Sequence, residues 1–148
     1  MLTQTLISLF ERDHNKVINE LNLYQTESNL WKVEGNISNS AGNLALHLIG
    51  NLKTYIGKEI GNFDYVRDRD LEFADKNVPR EKIVSDLNDT IAIIKDSLTS
   101  VSDEDLKKEY PLLVLSERTS TEYFLVHLST HLNYHLGQIN YHRRLIEK

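Results

Sequence analysis

The chain contains no cysteine among its 148 residues. Disulfide bonds, thiolate metal sites and cysteine nucleophiles are therefore excluded, and any metal ion must be held by histidine, aspartate or glutamate. Basic residues are also too few to give a positive surface, since the formal net charge is −5 and the isoelectric point is about 5.7. Proteins that bind nucleic acids or anionic membranes in general need basic patches, so the sequence argues against both classes.

Long apolar runs are missing as well. No stretch approaches the roughly 20 apolar residues that cross a bilayer. The segment Met1–Phe10 lacks a basic leader, a long apolar core and a small-residue cleavage site, so no signal peptide is predicted. No internal repeat or low-complexity linker interrupts the chain. With 40% hydrophobic residues, the sequence predicts one globular domain over residues 1–148, and we expect it to be cytoplasmic.

Four stretches carry apolar residues at the three-and-four spacing of a helix that buries one face. They predict helices from Leu2 to about Tyr24, from about Ala41 to about Ile60, from Pro79 to about Val101, and from Ser120 to about Ile146. Long amphipathic helices joined by connecting segments bury their apolar faces against one another. The sequence therefore predicts an all-α protein built as a four-helix bundle.

The segments between these helices are less regular. Residues Gly61–Val78 have no clean periodicity and predict a crossover, which either covers one end of a pocket or is a solvated charged loop. Phe73 is a candidate anchor for it. Ser102 is a candidate cap for a short extra helical turn. Tyr110–Ser116 is too short for a real sheet and predicts at most a strand-like arm.

Histidine is concentrated in the last predicted helix. His127, His131 and His135 are three of the six histidines of the chain and recur at every fourth residue. Such neighbours share a helix face and lie about 6 Å apart along the axis, so two of them can bind one metal ion. His47, which faces inward on the second helix, is the best candidate for a third ligand. Three imidazoles would leave a position open for water or substrate.

Two motifs resemble the DinB/YfiT-like superfamily of metal-binding four-helix bundles. Leu44–Asn51 resembles the second-helix histidine of that family, and His131–Ile139 resembles its last-helix H-x-x-x-H-x-G-Q-I signature. The order of four helices matches over nearly the whole chain. The resemblance implies an up-down-down-up bundle in which His47, His131 and His135 hold a divalent metal ion, with zinc or nickel most common.

The same resemblance implies a range of functions. Relatives include thiol S-transferases that use bacillithiol or mycothiol, and a mycothiol-dependent isomerase. The segment Arg67–Phe73 is similar to a subfamily without an assigned activity. The resemblance thus favours a divalent-metal-dependent enzyme, either a transferase acting on a low-molecular-weight thiol and a small electrophile, or a hydrolase that activates water. It also implies a homodimer.

Two other classes of function stay open. The chain is alternatively a non-catalytic, stress-linked module that binds a metal and a partner. In the third interpretation the histidines are ordinary core residues and no metal binds. An exchangeable position on a bound ion would favour the enzyme over the module. Failure of any metal to copurify would favour the third interpretation.

Several other polar residues are candidates for roles near the site. His14 lies on an apolar face, where a hydrogen-bonded core residue is favoured over a pocket residue. His127 is interpreted as a support for the ligands or a structural residue, and His142 as a surface residue. Gln138 is interpreted as a packing residue that bonds a neighbouring helix. Asn51 is a candidate to orient His47 or a bound water. Further candidates for the pocket or for binding an anionic thiol are Tyr55, Arg67, Arg69 and Arg118.

Overall fold

The computed structural model describes residues 1–148 and consists mainly of helices. Its helices are α1 Leu2–Leu23, α2 Ala41–Leu52, α3 Arg69–Ala74, α4 Arg80–Thr99, α5 Asp103–Lys107 and α6 Thr121–Ile146. A short 3₁₀ helix, Glu27–Trp31, follows α1, and a π-helical segment, Lys53–Lys58, continues α2. The only β pairing is an isolated antiparallel bridge between Glu109 and Ser120. The prediction of an all-α protein is therefore confirmed.

Serine caps fix where three of the helices begin. The side chains of Ser40 and Ser120 each accept a hydrogen bond from the backbone amide three residues later. Ser102 does the same at the start of α5, and the Asp105 side chain accepts a hydrogen bond from the Ser102 backbone amide to complete a capping box. These bonds satisfy amide groups that the first turn of a helix leaves without partners. The short extra turn predicted at Ser102 is confirmed.

Three predicted helices match α1, α4 and α6 to within two residues, while the second differs. Its α-helical part ends at Leu52, and the chain continues to Lys58 with the wider hydrogen bonding of a π-helix. Within the predicted crossover the structure forms the additional helix α3, which is too short to show a periodic apolar pattern. The segment Tyr110–Ser116 forms no strand.

The buried side chains form one continuous core to which all four long helices contribute. Helix α1 packs against α4 and α6, and α2 packs against α3, α4 and α6. The inner face of α2 is thereby brought to the histidine-bearing part of α6, with α3 beside it. None of these helices combines the length and the apolar character needed to span a bilayer.

His14 is a core residue of α1, in line with the favoured interpretation. It is completely buried, and its Nδ1–H donates a hydrogen bond of 2.8 Å to the Phe10 carbonyl. Its Nε2 has no partner. Burial lowers the pKa of His14 to about 4, against the opposing effect of the Phe10 hydrogen bond. The ring is therefore neutral at physiological pH.

This burial leads to a prediction about the pH dependence of stability. In the unfolded chain His14 regains a pKa of about 6.5, so the unfolded state binds the proton more tightly. Stability should therefore fall as the pH drops from about 6.5 towards the folded-state value of about 4. In His14→Leu we expect this loss to be smaller by up to about 3 kcal/mol across that window.

Urea unfolding of the metal-free protein between pH 7 and pH 4 would measure the change. Asn15→Leu, a substitution at the exposed neighbouring position, is the control and should keep the wild-type slope. An unchanged pH slope in His14→Leu would contradict the assignment of a neutral, buried ring.

Candidate metal centre

His47, His131 and His135 converge where α2 meets α6. The Nε2 atom of His131 lies 3.3 Å from Nε2 of His47 and 3.1 Å from Nε2 of His135. One ligand atom from each of the three residues lies within 4.8 Å of the other two. The structure thus brings together the three histidines that the sequence predicts as ligands. His14, His127 and His142 do not belong to this group.

The spacing of these nitrogens suits a shared metal ion. Imidazole nitrogens bound to one tetrahedral zinc at about 2.0–2.1 Å lie about 3.4 Å apart. The two separations measured from His131, 3.1 and 3.3 Å, are close to that value. A proton on His131 Nε2 can form a well-aligned hydrogen bond to only one of the two neighbouring nitrogens. The lone pair of the other nitrogen then has no proton to accept. A cation between the three atoms satisfies all of them.

The protonation of the cluster also suits a metal. Burial, together with the neighbouring His135 and His47, lowers the pKa of His131 to about 3. Burial likewise lowers the pKa of His135, although its hydrogen bond with Gln138 opposes this. Both rings are therefore uncharged near neutral pH and present lone pairs. Only the deprotonated nitrogen of imidazole binds a metal, so no proton has to be displaced from them.

Two of the three rings have a hydrogen-bond acceptor at the opposite nitrogen. We assign Nδ1 of His135 as the donor to Gln138 Oε1, at 2.7 Å, and Nδ1 of His47 as the donor to Glu72 Oε1, at 3.1 Å. A proton on Nδ1 leaves Nε2 free to bind a metal. Nδ1 of His131 is buried without a partner. Gln138 thus bonds a ring of its own helix, and the prediction that it bonds a neighbouring helix is wrong.

Glu72 reaches the site from α3. Its carboxylate is 6% exposed and accepts two hydrogen bonds from Arg67, with Nε 2.8 Å from Oε2 and Nη2 3.0 Å from Oε1. Burial opposes ionisation of this carboxyl, but the hydrogen bonds from His47 and Arg67 outweigh it and hold the pKa of Glu72 below its ordinary value. Glu72 is therefore a charged carboxylate in contact with a candidate ligand.

Sequence reasoning missed Glu72. The crossover was predicted as a possible cover for one end of a pocket, and its Phe73 ring does pack 5.0 Å from the His47 ring. One sequence signal could have predicted the helix that carries Glu72. Asp68 precedes Leu71 by the three residues of a helix cap, and in the structure its side chain accepts a hydrogen bond from the Leu71 amide. That cap indicates a helix start, which would have placed Glu72 and Phe73 on a short helix.

A cavity of about 320 Å³ adjoins the cluster. Helices α2 and α6, the π-helical segment and the crossover all contribute to its lining, which consists of His47, Asn51, Tyr55, Arg67, Arg69, Val114, Phe124, His127, Leu128 and His131. The predictions of Asn51 and Tyr55 as pocket residues are confirmed. Asn51 Oδ1 is buried without a partner and does not bond His47. Arg118 lines a different depression.

Two histidines of α6 have roles away from the cluster. His127 stacks on Phe124 with ring centres 5.8 Å apart and forms part of the cavity wall. His142 is buried rather than on the surface, so its prediction is wrong. Its Nδ1 accepts a 2.6 Å hydrogen bond from the Tyr24 hydroxyl, and its Nε2 donates to the Lys32 carbonyl at 2.7 Å. His142 thus ties α6 to α1 and the following segment.

Comparison with known proteins adds a family but no activity. A family model described as "Protein of unknown function (DUF1572)" matches residues 3–148, which is nearly the whole chain. None of the curated proteins compared with the chain matches it. The function therefore has to be inferred from the histidine cluster and the cavity beside it.

Proposed function

The chain belongs to the DUF1572 family of proteins of unknown function, and we propose that it is a divalent-metal-dependent enzyme. In this proposal His47, His131 and His135 hold the ion. The observation that carries it is the convergence of three Nε2 atoms at the edge of a cavity of about 320 Å³. Zinc or nickel is the proposed ion, because neutral imidazoles suit both metals.

The resemblance to the DinB/YfiT-like superfamily supports this proposal. We propose the up-down-down-up four-helix bundle of that superfamily for residues 1–148. In support, α1 and α2 each pack against both α4 and α6. The second-helix histidine and the H-x-x-x-H pair of the last helix are the residues that meet in the structure. Three protein ligands leave a position open on a tetrahedral ion, which is the arrangement of catalytic sites.

We propose thiol S-transfer as the reaction, with a low-molecular-weight thiol and a small electrophile as substrates. A divalent ion in such a site lowers the pKa of a thiol that binds to it. The chain itself supplies no cysteine that would compete for the ion. Arg69 lines the cavity and gives it positive charge, which suits an anionic substrate, whereas the charge of Arg67 is balanced by Glu72. Phe124 and Leu128 form an apolar wall on the α6 side.

Titration of the cobalt-substituted protein with small thiols tests this reaction class. We expect thiol binding to change the visible absorption of the cobalt and to release about one proton for each thiol bound near neutral pH. Glutathione-like and bacillithiol-like thiols would be compared. His131→Ala is the matched control and should show no such change.

Two other results would count against the proposed reaction. If no thiol changes the spectrum and the ion is already saturated by protein atoms, the chain is a non-catalytic metal-binding module instead. If thiols do not bind but the ion activates water towards an ester or amide panel, the chain is a hydrolase.

A further inference from the structure

We propose that Glu72 is a positioning residue for the metal centre. In this proposal Glu72 fixes the tautomer and the ring orientation of His47, Arg67 holds Glu72 in place, and Gly50 makes room for it. The inference rests on the proposed metal site, in which His47 is a ligand. It assigns roles to three residues outside the ligand set.

Nδ1 of His47 is the donor in its hydrogen bond with Glu72. Two groups approach this atom: Glu72 Oε1 at 3.1 Å and Arg67 Nη2 at 3.4 Å. An ionised carboxylate can only accept, whereas a guanidinium can only donate. The Glu72 contact is the shorter one, and an unprotonated His47 Nδ1 would set its lone pair against the carboxylate oxygen at 3.1 Å. His47 Nδ1 therefore carries the proton, and its Nε2 is bare where it faces the other two rings.

Arg67 holds the Glu72 carboxylate beside His47. Glu72 is almost completely buried, and a buried charge without a partner is strongly destabilising. Arg67 provides the partner through two parallel hydrogen bonds of 2.8 and 3.0 Å, the geometry that gives an arginine–carboxylate pair its directionality. The pair is neutral overall, so Glu72 can orient His47 without adding net negative charge to the site.

Gly50, which lies three residues after His47 on α2, leaves room for the Glu72 carboxylate. A Cβ at this position would overlap the Glu72 carboxylate, with 2.6 Å to Glu72 Cδ and 3.3 Å to Arg67 Nε. Any larger residue therefore displaces the carboxylate from His47. A glycine inside a helix costs about 1 kcal/mol relative to alanine. The space that the Glu72 carboxylate needs explains why glycine occupies this position despite that cost.

A purely structural role for the ion pair is the competing explanation, and the chain contains a matched control for it. Glu20 is also largely buried, with a side chain 13% exposed. It accepts 2.7 Å from Arg143 Nε and 2.8 Å from Asn140 Nδ2. Both carboxylates thus bind an arginine and a second donor, but only Glu72 contacts the histidine cluster. Removing Glu20 reports the general cost of losing such a pair.

The experiment measures zinc affinity by competition with a chromophoric chelator, in variants shown by circular dichroism to be folded. We expect Glu72→Ala to bind zinc about 10- to 100-fold more weakly than wild type, the usual effect of losing the partner of a ligating histidine. Gly50→Ala should reproduce this loss. Glu72→Gln keeps an acceptor oxygen and should lose less, whereas Glu20→Ala should retain wild-type affinity.

A second readout does not require metal. Nitrogen NMR of the His47 ring in the metal-free protein reports which nitrogen carries the proton. We expect the Nδ1–H tautomer in wild type and Glu20→Ala, and a mixture of tautomers in Glu72→Ala and Gly50→Ala. A role confined to pinning α3 on α2 would not change this signal.

The two readouts separate failure of the inference from failure of the proposed function. If wild type binds no zinc, the metal centre is overturned, and the NMR signal still decides the role of Glu72. If wild type binds zinc but folded Glu72→Ala binds it equally well with an unchanged His47 tautomer, the inference is overturned. It is also overturned if Glu20→Ala loses as much affinity. Should Glu72→Ala fail to fold, Gly50→Ala decides in its place.

Discussion

His131→Ala is expected to lose stoichiometric zinc binding, with a fall in affinity well beyond the roughly 10- to 100-fold expected for a supporting residue. His131 is the central member of the cluster, because its Nε2 is the atom that lies 3.1 and 3.3 Å from the other two. Without it, two imidazoles on different helices remain. The same chelator competition measures the effect.

The same helix offers a matched control for this substitution. His127→Ala removes an imidazole one turn away that lines the cavity but does not belong to the cluster. It should keep wild-type zinc affinity. His47→Ala and His135→Ala should each behave like His131→Ala. Wild-type zinc content in His131→Ala and His47→Ala together would show that the ligand assignment is wrong.

Phe124→Ala is expected to destabilise the fold by about 3–5 kcal/mol, the usual cost of removing a buried phenylalanine ring. Phe124 is 2% exposed and stacks on Tyr110 with ring centres 4.2 Å apart. The ring of Tyr55 meets it edge-on at 5.4 Å. The Tyr110 hydroxyl also donates to the Tyr55 carbonyl at 2.6 Å, so the three rings form one packed unit. Removal of the Phe124 ring therefore leaves a void beside the cavity.

Urea unfolding of the metal-free protein would measure this loss. The adjacent Tyr123 is 60% exposed, and Tyr123→Ala should change stability by no more than about 0.5 kcal/mol. Both variants should keep the histidine cluster, so their zinc affinity in the folded state should stay near that of wild type. A loss below about 1 kcal/mol in Phe124→Ala would contradict the packing described for the rings of Phe124, Tyr110 and Tyr55.

The parts of the fold that could be predicted from sequence are those with long periodic patterns. Helices α1, α4 and α6 each present an apolar stripe over five or more turns, so their ends agree with prediction. The histidine pair of α6 was visible because helical spacing alone places His131 and His135 on one face. His47 followed from its position on an inward stripe and from the resemblance. Local pattern was sufficient in these cases.

The rest depends on contacts between residues far apart in the chain. Helix α3 has six residues, too few for a periodic signal. Glu72 belongs to the site because Arg67 and His47 meet it there, and no local pattern contains both contacts. His142 is buried because Tyr24 and Lys32, more than 100 residues away, satisfy both of its ring nitrogens. Burial of a polar side chain is decided by such partners.

Anomalous X-ray diffraction from crystals of the zinc-loaded protein, recorded on both sides of the zinc absorption edge, tests the proposed centre most directly. We expect one zinc peak per chain, bounded by the Nε2 atoms of His47, His131 and His135, with a side open to the cavity. Absence of a peak between these nitrogens at saturating zinc would contradict the proposed centre. A peak held instead by other side chains would contradict it equally.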